Sequence, residues 1–314
     1  MDADVTLIVP VYNAERWLRD CLESIAAQTH RSLRVIVVDD ESTDGSREIA
    51  RAFCQSDSRF ELVEARHGGV SRARNIGIDM TTSEYIGFVD ADDLLYPYTV
   101  ARLLETLAAA ESQVAVADFR RSGNPGRDFV PKSDLKPIDA VDIEIYDYPG
   151  AMKVALYQKR IFNNPWSMLM ERRLLGDDIR FREGLRYEDL DAFYRFYEQA
   201  ERIAFLPEPL YYYRQDEESF IHRWSDARLD VLDVTDRIVE YMSERYPEVL
   251  PAALDRRFSA HFNMLITMRK QRVDRPEARE RCLKIIKEGR KRALSDPHVR
   301  LKNKLGALLS FLFC

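Results

Sequence analysis

Three carboxylates lie within four residues in the segment FVDADD at 88–93, directly after an apolar run. Asp90 and Asp92 are two positions apart, so an extended backbone would point both side chains to the same side. Carboxylate oxygens suit Mg²⁺ and Mn²⁺, ions that often bridge a protein to substrate phosphates. Because unpaired carboxylates are costly to desolvate, the segment predicts a cation site that holds a diphosphate. Taken alone, the spacing is more typical of a turn that caps the following helix.

Two other apolar runs, VTLIVPVY at 5–12 and LRVIVVDD at 33–40, also end in polar side chains. Tyr12 and Asn13 combine an aromatic ring with an amide, a pair suited to stacking on a nucleotide base and hydrogen bonding to it. Asp40 ends the second run, and the Ser, Thr and Asp at 42–44 are candidate N-caps for the helix that follows. Ligands bind beyond the carboxyl ends of parallel strands, so these groups are expected to meet at one site.

A glycine-rich segment, GGVSRARN at 68–75, supplies what a phosphate-binding site also needs. The glycines allow close approach of a backbone to a ligand, and Arg72 and Arg74 are suited to anionic groups. Together with the strand ends, this segment predicts a nucleotide-diphosphate pocket.

Strand and helix patterns alternate through the first 119 residues and would position these groups. Apolar runs at 5–12, 33–40, 60–63, 85–93 and 114–119 do not alternate in polarity, which is typical of strands covered on both faces. The pattern predicts an α/β, Rossmann-like fold with a mostly parallel sheet and flanking helices.

The later sequence is less regular. Residues 120–150 contain Pro and Gly and predict a surface or acceptor-side loop, whereas 186–200 predicts an amphipathic helix. RIAFL and LYYYR predict two strands, and the chain is helical in pattern from about 226. We therefore expect a domain at 1–225, with a donor half at about 1–118 and an acceptor half at about 119–225, and a helical region at 226–314.

Composition is that of an ordinary globular protein: 314 residues, 46% hydrophobic, 32% charged and a net charge of −6. This charge gives no indication of a nucleic-acid partner. Four cysteines show no metal or disulfide spacing, and Cys21 and Cys54 lie on apolar helix faces, which predicts buried free thiols in a reducing compartment. With neither a signal peptide nor a long apolar run in the sequence, a cytoplasmic protein is expected.

The C-terminal region differs from the rest in charge. Residues 270–304 contain 13 Lys and Arg against 5 Asp and Glu, a local charge of +8, so the remainder carries −14. The tail VRLKNKLGALLSFLFC at 299–314 sets leucines beside basic residues but is too short to cross a bilayer. It predicts an interfacial amphipathic helix on the inner membrane leaflet, or else a helix packed on its own core or on a second chain.

Six segments in order resemble glycosyltransferase family 2, the inverting, nucleotide-sugar-dependent enzymes with a GT-A fold. The segments are VPVYNAERWLRDCLESIAAQT, VVDDESTDGS, GVSRARNIGI, YIGFVDADD, FREGLRYEDLDAFYRFYEQA and LYYYR. The resemblance spans about residues 5–225 and implies donor contacts for Pro10, Tyr12, Asn13, Asp40, Arg74, Asp90, Ala91 and Asp92. Within this set it implies that Asp40 binds the base, Asp90 lies on the ribose side, and Asp92 coordinates Mn²⁺ or Mg²⁺.

The resemblance also implies roles in the acceptor half. Asp189 matches the family's catalytic base, with Glu188 as the weaker candidate. His222 lies in a segment that can close over the diphosphate, where it could contact the metal or the phosphates. Trp166 would stack on an acceptor sugar or else belong to the core. Met168 stands where the family commonly has a basic residue, a difference that points to an unusual acceptor.

These features predict a metal-dependent inverting transferase that moves a hexosyl or N-acetylhexosaminyl group from a UDP-sugar. The acceptor would be a hydroxyl of a glycan or lipid-linked glycan in cell-surface polysaccharide assembly, at the cytoplasmic face of the membrane. The alternative is a catalytically inactive carbohydrate-binding or scaffolding subunit with the same fold. A nucleotidyltransferase is disfavoured because the first strand is not followed by a glycine-rich phosphate loop that carries Arg and Lys. An NAD-binding protein is disfavoured because no G-x-G-x-x-G follows a strand.

Overall fold

The computed structural model describes residues 3–123, 125–132, 134–161, 163–215 and 224–311. The chain divides into two compact units. The first comprises Met1–Tyr148, Asn163–Gly184 and Glu188–Ser219, and the second comprises Pro149–Phe162, Leu185–Tyr187 and Phe220–Cys314. The domain boundary between 225 and 226 stays a prediction.

The described part of the first unit forms a nine-stranded mixed sheet. Its strands are β1 (Val5–Val11), β2 (Leu33–Asp40), β3 (Phe60–Ala65), β4 (Tyr85–Phe88), β5 (Leu94–Leu95), β6 (Val114–Ser122), β7 (Glu144–Tyr146), β8 (Met168–Glu171) and β9 (Ile203–Arg214). The order is β3-β2-β1-β4-β8-β6-β9-β5, with β7 also paired to β9. The four strands from β3 to β4 are parallel, β8 is antiparallel to both of its neighbours, and β6 is parallel to β9.

Helices account for most of the remaining regular structure. They are α1 (Glu15–Ala26), α2 (Ser46–Ser56), α3 (Val70–Met80), α4 (Thr99–Ala110), α5 (Pro125–Asp128), α6 (Tyr148–Leu156), α7 (Glu188–Tyr197), α8 (Asp230–Arg245), α9 (Leu250–Lys270), α10 (Pro276–Ser295) and α11 (Leu301–Ser310). Over the described ranges, none of them is both long and apolar enough to cross a membrane. The predicted α/β class, with flanking helices and a helical C-terminal region, is confirmed.

Burial explains why the apolar runs became strands. Every residue of β1 is buried, and Arg34 is the only residue of β2 that is not. Helix α1 buries the stripe that contains Cys21, whereas Cys54 at the end of α2 is only half-buried. The expectation of a buried thiol is therefore wrong for Cys54, because α2 lies at the edge of the core.

The predicted strands RIAFL and LYYYR are one continuous strand, β9. Its pairing with β6 shifts register around Asp118, opposite the stretch that contains Pro207 and Pro209. Proline has no N–H to donate to a ladder, and a bulge at this point lets the strand continue past both prolines.

The predicted strand at 85–93 ends at Phe88. Beyond it, the Asp93 N–H donates to the Asp90 carbonyl at 3.1 Å and closes a turn. The argument that Asp90 and Asp92 share one side of an extended strand is therefore wrong.

Helix α3 packs closely on β1 because Gly77 has no side chain. A Cβ at this position would lie 2.4 Å from Cγ2 of Ile8 and within 3.0 Å of two further atoms of that side chain. The close approach matters because α3 also carries Arg74.

Replacing Gly77 with Ala should destabilise the protein. The gain in helix propensity of about 1 kcal/mol is offset by overpacking, which typically costs about 1–3 kcal/mol. Urea unfolding of Gly77→Ala, Ile8→Ala and the double variant would measure the effect. We expect the double variant to lose less stability than the sum of the two single losses, since Ile8→Ala removes the atoms that clash. Additive losses would show that the two side chains do not compete for space.

Candidate active site

The carboxylate turn, Asp90–Asp93, sends its three acidic side chains into different surroundings. Asp90 is partly buried, Asp92 is exposed, and Asp93 is fully buried. Because Asp92 is the most exposed of the three, it is the carboxylate of the turn that is best placed to meet a ligand.

Asp93 is held beneath the turn by groups from β9. It accepts hydrogen bonds from the Tyr211 hydroxyl and the Arg214 N–H, both at 2.8 Å. The same hydroxyl accepts the Asp90 N–H at 3.2 Å, so Tyr211 contacts both ends of the turn. Burial raises the pKa of Asp93 well above its ordinary value, and the nearby charges of Asp92 and Asp90 raise it further. Sequence reasoning missed Tyr211, although the period-two pattern of LYYYR predicts that residues 211 and 213 share one face.

Arg74 links the carboxylate turn to the start of α7, and we call this contact the Arg74 bridge. Its two terminal nitrogens donate at 2.8 Å to Asp90 Oδ1 and to Glu188 Oε1. Arg74 is 3% exposed. Burial alone would lower the pKa of Arg74, but Asp90 and Glu188 raise it above the ordinary value. Arg74 therefore fixes Asp90 relative to Glu188, and its direct contact with a donor stays a prediction.

Asp40 anchors the glycine pair that precedes α3. Its two oxygens accept the N–H groups of Gly68 and Gly69, both at 2.8 Å, and His67 Nδ1 lies 3.0 Å from Oδ2. Gly69 has φ of 85°, a conformation that favours glycine. The ring of His67 lies 4.5 Å from that of the half-exposed Tyr12. Base recognition by Asp40 and Tyr12 stays a prediction.

Asn13 ties the loop after β1 to the loop after β2. Its N–H donates to Ser42 Oγ at 3.1 Å, and its Oδ1 accepts the Thr43 N–H at 2.8 Å. Asp44 accepts the Glu15 N–H at 3.0 Å, at the start of α1. Residues 42–44 are not at the N-cap position of α2, which is Gly45, but Asp44 does accept the N–H of Ser46, the first residue of that helix, at 3.0 Å.

Two of the residues predicted to contact the donor, Pro10 and Ala91, are buried in the fold. Pro10 is buried in β1 opposite Val38, and Ala91 is 7% exposed within the carboxylate turn. Their contacts with a donor stay predictions.

Asp189 lies in the first turn of α7 and is half-buried. Asn163 Nδ2 donates to its Oδ2 at 2.5 Å, a contact that holds the carboxylate in one orientation. Asp191, two residues on, is fully buried and forms ion pairs with Arg182 and Arg195. Asp189 is thus the more accessible of the two aspartates, as a proton acceptor must be.

Trp166 belongs to an aromatic cluster. It is 9% exposed and stacks on Tyr211 at 4.2 Å and Tyr213 at 5.4 Å, with the edge of Phe119 at 4.9 Å. This burial favours the core interpretation of Trp166, and its contact with an acceptor stays a prediction. Met168 is also buried, and its sulfur accepts the Tyr197 hydroxyl. A contact between Met168 and an acceptor is therefore not supported.

A divalent cation fits the donor set of the carboxylate turn. The described ranges contain no cluster of three residues able to enclose a metal, and His222 lies outside the described residues. Asp92 supplies hard oxygen atoms, and Mg²⁺ and Mn²⁺ can take their remaining ligands from water and substrate phosphates. The turn also carries excess negative charge. Burial raises the pKa of the neighbouring Cys21 well above its ordinary value, and the charges of all three aspartates raise it further.

Comparison with known proteins places the chain in a family. The family model described as glycosyl transferase family 2 matches residues 6–177, more than half of the chain. Glycosyltransferase GlyG of Streptococcus pneumoniae is 28% identical over 80% of this chain and 82% of its own length. Glycosyltransferase GlyA of the same organism is 31% identical over 78% of this chain, which spans only 34% of that relative.

Solved structures agree on the fold. Staphylococcus aureus TarS in complex with UDP-GlcNAc has a TM-score of 0.72 at 21% identity, covering 98% of this chain and 89% of that chain. Mannosyltransferase PcManGT from Pyrobaculum calidifontis, in complex with GDP-Man and Mn²⁺, has a TM-score of 0.54 at 20% identity, with 99% and 87% covered. The predicted GT-A fold is confirmed. With its family match across β1–β8 and this architecture, the chain belongs to glycosyltransferase family 2.

Proposed function

We propose that this protein transfers a sugar, with inversion, from a UDP-sugar to a hydroxyl of a glycan or lipid-linked glycan in cell-surface polysaccharide assembly. The related fold of TarS has been solved with UDP-GlcNAc and with UDP, which supports a uridine donor and a hexosyl or N-acetylhexosaminyl group. PcManGT was solved with Mn²⁺, which supports a divalent cation. We place the reaction at the cytoplasmic face of the membrane.

The Arg74 bridge is the observation that carries this proposal. It joins Asp90, the implied ribose contact, to Glu188, the residue directly before the implied base. A single buried guanidinium thereby holds the donor side and the acceptor side of one reaction in register. A subunit that only bound carbohydrate would not need the two sides to be aligned in this way.

The residues of the site divide the chemistry between them. Asp92 would hold Mn²⁺ or Mg²⁺, which when bound supplies charge stabilisation for the departing diphosphate. Asp189, oriented by Asn163, would take the proton of the acceptor hydroxyl, a contribution of roughly 10² to 10⁴ in rate. Attack from the side opposite the leaving group inverts the anomeric centre, and no second nucleophilic carboxylate is needed.

Donor hydrolysis tests the cation and its ligand without knowledge of the acceptor. Purified protein is incubated with UDP-GlcNAc, UDP-GalNAc, UDP-glucose, UDP-galactose and GDP-mannose, with Mn²⁺ or EDTA, and release of nucleoside diphosphate is measured. We expect one UDP-sugar to turn over only with Mn²⁺, and Asp92→Asn to lower kcat roughly 100-fold through loss of a metal ligand.

Glu111→Gln is the matched control, because Glu111 is an exposed acid that pairs with Arg202 at the surface. Full activity in EDTA would contradict metal dependence. If no donor turns over and calorimetry detects no UDP binding with Mn²⁺, the inactive binding or scaffolding subunit becomes the better interpretation.

Asp189→Asn should separate catalysis from binding. The amide keeps the size of the side chain but cannot accept a proton, so kcat should fall by roughly 10² to 10⁴ while the affinity for UDP with Mn²⁺ changes little. Turnover and calorimetric UDP binding are measured side by side. Glu188→Gln is the comparison variant and should lose less activity. A larger loss in Glu188→Gln, with Asp189→Asn nearly active, would move the base to Glu188.

Arg74→Lys should impair turnover although the charge is kept, because one ammonium cannot reproduce the two-pronged contact with Asp90 and Glu188. We expect kcat to fall roughly tenfold or more. Combining the change with Glu188→Gln should cost little beyond the worse single variant, since both break the same bridge. Arg51→Lys, at a surface pair with Glu64, is the matched control. Wild-type kcat in Arg74→Lys would show that the bridge does not align the site.

A further inference from the structure

Helix α11, within the second unit, buries its polar and small side chains and exposes its large apolar ones, the opposite of the usual arrangement. Its buried residues are Asn303, Gly306, Ala307 and Ser310, all small or polar. Its leucines point outward and are 51–73% exposed; we call this surface, which comprises Leu301, Leu305, Leu308 and Leu309, the leucine face. A helix that stabilised only its own unit would bury its leucines.

Specific contacts fix this orientation. Asn303 donates to both oxygens of the buried Asp255 on α9, at 3.0 and 3.2 Å, and its Oδ1 accepts a hydrogen bond from Ser259 at 3.3 Å. Gly306 lies so close to α9 that a Cβ there would come within 2.9 Å of the Phe262 ring. Rotating the leucines inward would break these hydrogen bonds and place larger side chains where Gly306 now fits. The exposure of the leucine face is therefore built into the packing of α11 on α9.

Basic residues border the leucine face. At about 100° per residue, the four leucines span roughly 100° of the helix, with Lys302 at one edge and Lys304 beyond the other. The ten residues of α11 include two lysines and no acid. Near its end, the Arg290 guanidinium of α10 lies 4.0 Å from the centroid of the Phe311 ring, which is itself about half exposed. An apolar stripe with basic residues on either side is complementary to a partner that has an apolar interior and negatively charged groups at its surface.

We propose that α11 binds the surface of an anionic lipid bilayer, with the leucine face toward the acyl chains and Lys302 and Lys304 among the headgroups. Exposed leucines gain by leaving water, and each basic residue near an anionic surface strengthens binding by about fivefold. A second copy of the chain is a poorer occupant, because a two-fold contact would set the lysines of both copies against one another. Binding of this kind requires neither donor nor acceptor, so its test is independent of the transferase reaction.

The test uses the full-length protein and sedimentation of lipid vesicles. Vesicles of phosphatidylcholine with 30% phosphatidylglycerol are compared with vesicles of phosphatidylcholine alone, at low and high salt. We expect binding to the anionic vesicles at least tenfold tighter than to the neutral ones, and weakened by salt. Leu308→Gln with Leu309→Gln, and separately Lys302→Gln with Lys304→Gln, should each weaken binding about tenfold or more.

Val130→Gln with Lys132→Gln is the matched control, since it removes an exposed apolar residue and a neighbouring lysine elsewhere on the surface. All three double variants should keep the wild-type melting temperature. The proposal is overturned if the wild-type protein does not bind anionic vesicles, or if both α11 variants bind as the wild type does. It is also overturned if the leucine changes instead dissociate a dimer that sediments independently of lipid.

Discussion

The concentration of negative charge in the carboxylate turn is the constraint on which the rest of the site depends. Three carboxylates in four residues repel one another, and the negative charge of each must be compensated or solvated separately. Arg74 compensates Asp90, and Asp93 is accommodated by the Tyr211 hydroxyl and the Arg214 amide. Asp92 is exposed, and in the proposed function a bound cation and diphosphate would offset its charge. The proposed donor site thus coincides with the exposed carboxylate of the turn.

The contacts that compensate the charge of Asp90 and Asp93 also join parts of the first unit that lie far apart in the sequence. The Arg74 bridge joins residues 114 positions apart, and the Tyr211–Asp93 hydrogen bond joins residues 118 positions apart. The first contact runs from α3 to α7, and the second runs from the carboxylate turn to β9. Stability and alignment of the site consequently rest on the same few buried polar groups, which raises the cost of changing any of them.

Sequence reasoning succeeded where the information is local. The bounds of β2 were predicted at 33–40, because a β-branched run ends there in two aspartates. It failed at Asp90–Asp93, where a turn replaces the extended strand, and at 203–214, where a bulge lets one strand pass two prolines. The contacts of Tyr211 and Asn163 could not be predicted, since their partners lie far away along the chain or across a loop and a local pattern gives at most the face on which a side chain lies. Family resemblance identified the acidic residues, whereas the structure supplied the groups that hold them.

The thiol of Cys21 lies directly under the carboxylate turn and donates to the Asp90 carbonyl at 3.5 Å. Burial and the three nearby aspartates raise its pKa, so the thiolate, which is the reactive form, is strongly disfavoured. Alkylating reagents and peroxide attack thiolates, so burial and the raised pKa both disfavour reaction at Cys21 despite its position under the carboxylate turn. Of the three cysteines in the described part of the chain, Cys21 and Cys282 are buried and Cys54 is half-buried, so Cys54 is the most accessible to such reagents.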